Sequence, residues 1–206
     1  MVNKLKNVGF YFIASSEYSE ISTIKQVELA IDAGVKVIQL REKNIDRKQM
    51  HETAAKVREL TKKAKILFIV NDYLDVAIKA DADGVNLGKN DFDPEQVKKI
   101  MPDIIVGLSV RSIEEAVEAE QKGCDYVYFG PIYKSRSGKD NLLGVEAISE
   151  LKKKLKIPII AIGGISKDNA KEVLSADADG FVVASELFNK KDIGKEIKLL
   201  VSMVKS

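Results

Sequence analysis

The chain has 206 residues, 45% hydrophobic and 31% charged, enough for one sizeable core and too few for two comfortable domains. Its 33 Lys and Arg against 31 Asp and Glu leave a net charge of +2 with no basic run, which argues against a protein that grips nucleic acid through phosphate neutralisation. No apolar stretch reaches the ~20 residues of a bilayer span, and a single cysteine (Cys124) and a single histidine (His51) exclude a disulfide framework, a thiolate cluster and chemistry built on two imidazoles.

Eight short runs rich in Val, Ile, Phe and Tyr follow one another along the chain, at 10–13, 35–40, 66–70, 84–87, 104–108, 126–129, 157–162 and 181–184. They are mostly uninterrupted by charge, as strands buried on both faces are. The spacers read as helices, clearest at 50–64, 113–121, 146–155 and 193–204, where apolar residues recur at helical spacing. At about 26 residues per unit this predicts a tight βα repeat, a parallel sheet and a (β/α)8 TIM barrel as one domain over 1–206. An internal echo supports the repeat: Ala80-Asp81-Ala82-Asp83-Gly84 returns as Ala176-Asp177-Ala178-Asp179-Gly180, 96 residues later. The alternative, an open doubly wound sheet, lacks a Gly-x-Gly-x-x-Gly after its first strand. The short mixed stretch before the first strand holds no signal-peptide apolar region, so a reducing, cytoplasmic location is expected. A monomer and a homodimer fit equally well.

In such a barrel the chemistry gathers at the C-terminal ends of the strands. Gln39, Arg41 and Lys43 follow the second run, Asn71 and Asp72 the third, and Asn86, Lys89 and Asp91 the fourth. Ser109 and Arg111 follow the fifth run, and Ser135, Ser137 and Lys139 lie in a longer loop after the sixth. Gly163-Gly164 and Ala184-Ser185 end the last two. Those last two fit the common barrel phosphate site, where backbone N–H groups hold the anion and glycine permits close approach. Asn71, Asp72 and Asp91 offer oxygen ligands suited to Mg²⁺, although plain ion pairs with the neighbouring cations also fit. Arg41 can grip a phosphate with two parallel bonds, and Lys43 adds a point charge. The hydroxyls and ammonium of the sixth loop can close over a diphosphate, or simply form a charged surface loop. Small phosphorylated substrates are the partners this pattern implies. His51 falls inside a helix, and Cys124 enters a strand from the far face; both read as structural.

The motifs Gln39-Leu40-Arg41-Glu42-Lys43, Phe68-Ile69-Val70-Asn71-Asp72, Ala82-Asp83-Gly84-Val85-Asn86-Leu87-Gly88 with Asp91, Gly107-Leu108-Ser109, Gly130-Pro131-Ile132-Tyr133 and Ala161-Ile162-Gly163-Gly164-Ile165, in this order, resemble the thiamine-phosphate synthase family. Its close relative is the TenI-like thiazole tautomerase group. The resemblance implies an enzyme that joins a hydroxymethylpyrimidine diphosphate to a thiazole phosphate and releases pyrophosphate. It implies Mg²⁺ on Asp72 and Asp91, with Asn71 on the diphosphate substrate. It implies phosphate binding and catalysis by Arg41, Lys43, Ser109 and Lys139, helped by Ser135 and Ser137. Gln39 then falls in the pyrimidine pocket, and Gly163, Gly164, Ala184 and Ser185 form the thiazole-phosphate site. The chain departs from the family at Asn86 (usually His), at Lys89 (usually Gln) and in the loop Lys134-Ser135-Arg136-Ser137-Gly138-Lys139, which departs from a Thr-x-Thr-Lys pattern. The tautomerase relative uses a histidine where this chain has Arg111, and a guanidinium cannot shuttle protons near neutrality. The alternatives are a TenI-like binding or regulatory protein, the tautomerase, and a sugar-phosphate isomerase or epimerase.

Overall fold

The computed structural model describes residues 4–134 and 141–203. Strands β1 (Gly9–Phe10), β2 (Phe12–Ala14), β3 (Val37–Leu40), β4 (Leu67–Asn71), β5 (Gly84–Leu87), β6 (Ile105–Val110), β7 (Tyr126–Phe129), β8 (Ile159–Ala161) and β9 (Gly180–Phe181) all pair in parallel. β1 pairs with β9 and β2 with β3, and the two pieces are separated only by Tyr11, whose N–H donates to the Phe181 carbonyl at 2.9 Å. They are therefore halves of one stave, and the sheet closes into the expected eight-staved barrel.

Helices fill the gaps between staves: α1 (Thr23–Ala33), α2 (Arg47–Ala64), α3 (Leu74–Lys79), α4 (Pro94–Ile100), α5 (Ile113–Gln121), α6 (Glu146–Lys152), α7 (Ala170–Ser175) and α8 (Ile193–Ser202). α5 matches its predicted limits. α2 begins three residues before position 50 because Asp46 and Gln49 close a capping box there. α6 stops at Lys152, three residues before the predicted end at 155. The predicted runs at 35–40 and 157–162 shorten to four and three residues of strand, and β6 extends two residues beyond 108, so Ser109 lies in the strand rather than after it. No described helix is long and apolar enough to cross a membrane.

The sheet separates two apolar layers. Outside it, the helices pack Val27, Ala54, Val57, Ala116 and Ile197 against strand residues such as Phe12, Ile38 and Phe68. Inside the barrel, Val8, Ile13, Val37, Ile69, Ile160 and Val182 pack around Tyr11, Tyr126 and Tyr128. Residues of both parities along each strand are thus buried, which is why the runs read as continuous rather than alternating.

The echo in the sequence has a mechanical role at the floor of the barrel. Asp83, Asp125 and Asp179 each precede a strand, and each accepts the N–H of the first or second residue of the preceding strand: Phe68 at 2.8 Å, Val106 at 2.8 Å and Ile159 at 3.0 Å. Each also pairs with a cation from an outer helix: Arg58 at 2.9 Å, Lys98 at 2.6 Å and Lys152. A carboxylate satisfied by a backbone donor and a cation tolerates burial, and three such pins lock strand register where no chemistry is needed. Cys124 sits beside one of them, and burial pushes its thiol up to about 12, so it is an unreactive packing group. His51 faces Asp75 across the α2–α3 contact at 3.6 Å, away from the strand ends.

Candidate active site

The C-terminal ends of the staves open into one cavity of about 650 Å³. Its walls bring together Gln39, Arg41, Lys43, Asn71, Asp72 and Ser109 on one side and Gly163, Gly164, Ala184 and Ser185 on the other. β4 and β5 stand half a turn around the ring from β8 and β9. Asp72 and the glycine turn therefore face each other across the mouth, while Asp91 lines an adjoining pocket with Gly88, Lys89 and Ser109.

The backbone builds the acidic side. Asp72 follows β4 with a left-handed φ of 63°, a conformation that Asp and Asn adopt more readily than most residues. Its N–H donates to the Asn86 carbonyl of β5 at 2.9 Å, which holds the turn against the neighbouring stave. Asp91 folds back on the next loop and accepts the Gly88 N–H at 2.7 Å. The two carboxyl groups come within hydrogen-bonding reach of one another, and Lys43 lies 3.9 Å from Asp72. Burial first, and the like charge of Asp91 second, push the Asp72 carboxyl up to about 6 against the pull of Lys43. Among the described residues no group of three or more His, Cys, Asp or Glu side chains could hold a metal ion.

Arg41 continues β3, its N–H tied to the Ala14 carbonyl at 2.9 Å. Its guanidinium pairs with Glu17 and lies over the Tyr18 ring at 5.5 Å, so its plane is set before any ligand arrives. Glu42, between Arg41 and Lys43, turns outward and accepts from Ser16 and Thr23, fastening the first loop to the second strand end. Ser109 Oγ accepts from Asn86 Nδ2 at 3.1 Å, while the buried Asn86 Oδ1 has no partner among the described residues. Lys89 points outward and pairs with Glu115 at 3.5 Å. Ser112 is a helix cap, accepting the Glu115 N–H at 3.1 Å.

On the far side Gly163 and Gly164 have φ values of 96° and 64°. A Cβ on Gly164 would lie 2.5 Å from the Tyr133 carbonyl oxygen and 2.6 Å from that of Lys134. Close passage of the 131–134 segment, and not only room for a ligand, therefore requires glycine here. Tyr133 N–H donates to the Gly163 carbonyl at 2.9 Å and completes the contact.

Two cations line the cavity that the sequence motifs did not put forward as ligands, Arg111 and Lys134. The signal was available, since Arg111 follows the Ser109 strand end and Lys134 opens the long loop. Ser135, Ser137 and Lys139 lie outside the described residues.

Residues 10–187 match a family model described as "Thiamine monophosphate synthase". Among curated proteins, the chain is 41% identical over 182 residues to the thiamine-phosphate synthase of Pyrococcus furiosus, covering 88% of each. It is 38% identical over 204 residues to that of Methanosarcina barkeri, covering 98% of this chain and 92% of the relative. Among solved structures, the thiamine phosphate pyrophosphorylase from Pyrococcus furiosus superposes with a TM-score of 0.90 at 37% identity, over 98% of this chain and 97% of the other.

Proposed function

Because the chain belongs to the thiamine monophosphate synthase family and is an enzyme that makes thiamine phosphate, we propose that Asp72 and Asp91 hold Mg²⁺ beside a bound pyrimidine diphosphate, and that a thiazole phosphate docks opposite. The observation that carries this reading is the like-charged pair. Two carboxylates pressed together with one ammonium 3.9 Å away are under-neutralised, and the cost falls on Asp72, whose carboxyl is pushed up to about 6. An all-oxygen donor set with two carboxylates suits a hard divalent cation whose remaining positions go to water and substrate phosphate. Bound there, Mg²⁺ supplies Lewis-acid neutralisation of charge on the departing diphosphate.

The chain's own residues do the rest. Arg41, held flat by Glu17 and Tyr18, presents its free N–H groups to phosphate oxygens. Lys43 adds charge from the neighbouring position, and Asn71 and Ser109 donate neutral hydrogen bonds. These donors meet the negative charge that develops as the C–O bond of the pyrimidine methylene breaks and its electron pair leaves with diphosphate, a dominant contribution to such catalysis. The ring nitrogen of the thiazole then gives its lone pair to the methylene carbocation, forming the C–N bond. No proton is transferred in either event, in keeping with a cavity that has no histidine. Gly163, Gly164 and Ser185 hold the thiazole-borne phosphate through backbone N–H groups, with Arg111 and Lys134 adding positive charge. The cavity volume of about 650 Å³ lies within the range of small-molecule sites and leaves room for two compact substrates side by side.

The test is turnover with both substrates. Thiamine phosphate and pyrophosphate form in equal amounts with Mg²⁺, and formation stops in EDTA or when either substrate is omitted. Pyrophosphate release from the pyrimidine diphosphate alone, at the rate seen with both, would overturn the coupled reading.

A further inference from the structure

At the base of the cavity, whose lining includes Gln39, Tyr128 and Asn71, a chain of hydrogen bonds runs from buried phenols to Asn71. Tyr11, Tyr126 and Tyr128 are buried there with Gln39, whose side chain has no exposure. Tyr11 Oη donates to Gln39 Oε1 at 2.9 Å, and Tyr128 Oη donates to the same oxygen at 2.9 Å. The Tyr11 and Tyr126 hydroxyls lie 3.2 Å apart. Gln39 Nε2 donates to Asn71 Oδ1 at 2.8 Å.

Counting protons fixes the direction of this chain. Burial pushes all three phenols well above their ordinary range, so each keeps its hydrogen. Three hydroxyl hydrogens need three acceptor sites. Gln39 Oε1 supplies two lone pairs, for Tyr11 and Tyr128, and the Tyr11 oxygen supplies the third, for Tyr126. With the Gln39 amide reversed, its Nε2 would face both phenols and two buried hydroxyl hydrogens would lose their acceptors, a state folded proteins avoid. Gln39 is therefore held with Nε2 toward Asn71. Asn71 must answer with Oδ1, which leaves its Nδ2 with no protein partner among the described residues and open to the cavity.

We infer that Tyr11 and Tyr128 are positioning residues for the substrate diphosphate: acting through Gln39, they hold the Asn71 amide with its N–H₂ toward the anion and its oxygen away from it. The inference rests on the proposed placement of the diphosphate beside Asn71. An amide free to turn would offer a carbonyl oxygen to an anion for part of the time, so the device sets binding of the diphosphate substrate and leaves the thiazole phosphate across the mouth untouched. Neither tyrosine needs to touch substrate for this effect.

The experiment is a cycle of Tyr128→Phe and Asn71→Ala with KM measured for each substrate. Tyr128→Phe keeps the ring and removes one donor to Gln39. It should raise KM for the pyrimidine diphosphate about 10-fold and leave KM for the thiazole phosphate within about 2-fold. In the Asn71→Ala background the same substitution should change either KM by less than about 2-fold. A structural role would persist in both backgrounds, so equal effects with and without Asn71 would overturn the inference. Asn71→Ala on its own reports on the underlying placement, and an unchanged KM for the pyrimidine diphosphate there would remove that placement instead. Tyr11→Phe, which withdraws the other donor, repeats the cycle if the first variant does not fold, and its outcomes carry the same meaning.

Discussion

Replacing Asp72 by Asn should stabilise the metal-free protein while abolishing most of its activity. Asp72 is destabilised in its charged form, because burial and Asp91 push its carboxyl from an ordinary value of 3.8 up to about 6. At about 1.4 kcal/mol per pH unit this corresponds to at most about 3 kcal/mol of strain above pH 7. The Asp72 side chain keeps 25% of its exposure, and solvent screening brings the expected figure to about 1–2 kcal/mol. Asn is isosteric, tolerates the left-handed φ of 63° and carries no charge. A carboxyl raised in the folded state favours folding fully only below about pH 4, and that advantage is lost as pH rises through about 6. The variant should therefore match the wild type near pH 4 and exceed it at pH 7.5 by about 2–8 °C in melting temperature, both in EDTA. Adding Mg²⁺ with pyrophosphate should raise the wild type alone and narrow the gap. A variant less stable at pH 7.5, or a difference independent of pH, would refute the electrostatic reasoning.

At the barrel floor, Asp179→Ala strands Lys152 and the Ile159 N–H and should cost about 3–5 kcal/mol in urea unfolding, while the folded fraction keeps its turnover. Gly164→Ala should lower stability by more than 2 kcal/mol and raise KM for the thiazole phosphate, because the new methyl would overlap two backbone carbonyls at 2.5 and 2.6 Å; a melting curve and one saturation series read both. Arg111→Ala and Lys134→Ala should each raise KM for a phosphorylated substrate about 10-fold and flatten its dependence on salt.

Much of this fold is legible in the sequence because strands buried on both faces announce themselves as uninterrupted apolar runs. The break of the first stave at Tyr11 is not legible, since it reflects closure of the sheet onto partners 171 positions away on one side and 26 on the other. Asp72 and Asp91 could be paired from sequence because they follow adjacent strands, but the turn at Gly88 that folds Asp91 back toward Asp72 could not be read there. The relay through Gln39 could not, since Tyr11, Tyr126 and Tyr128 read there simply as strand-forming aromatics, and only the packed interior shows the Tyr11 and Tyr128 hydroxyls meeting one amide, with Tyr126 against Tyr11. The glycine turn shows the same limit. Positive φ is readable from Gly163-Gly164, but the Tyr133 and Lys134 carbonyls that forbid a side chain come from a segment about 30 residues away.

Calorimetric binding of pyrophosphate, with and without Mg²⁺, to the wild type and to Asp72→Ala and Asp91→Ala variants tests the acidic pair most directly. Tight binding that needs both the cation and both carboxylates is the predicted result. Equal affinity in EDTA, or in variants lacking either carboxylate, would contradict it.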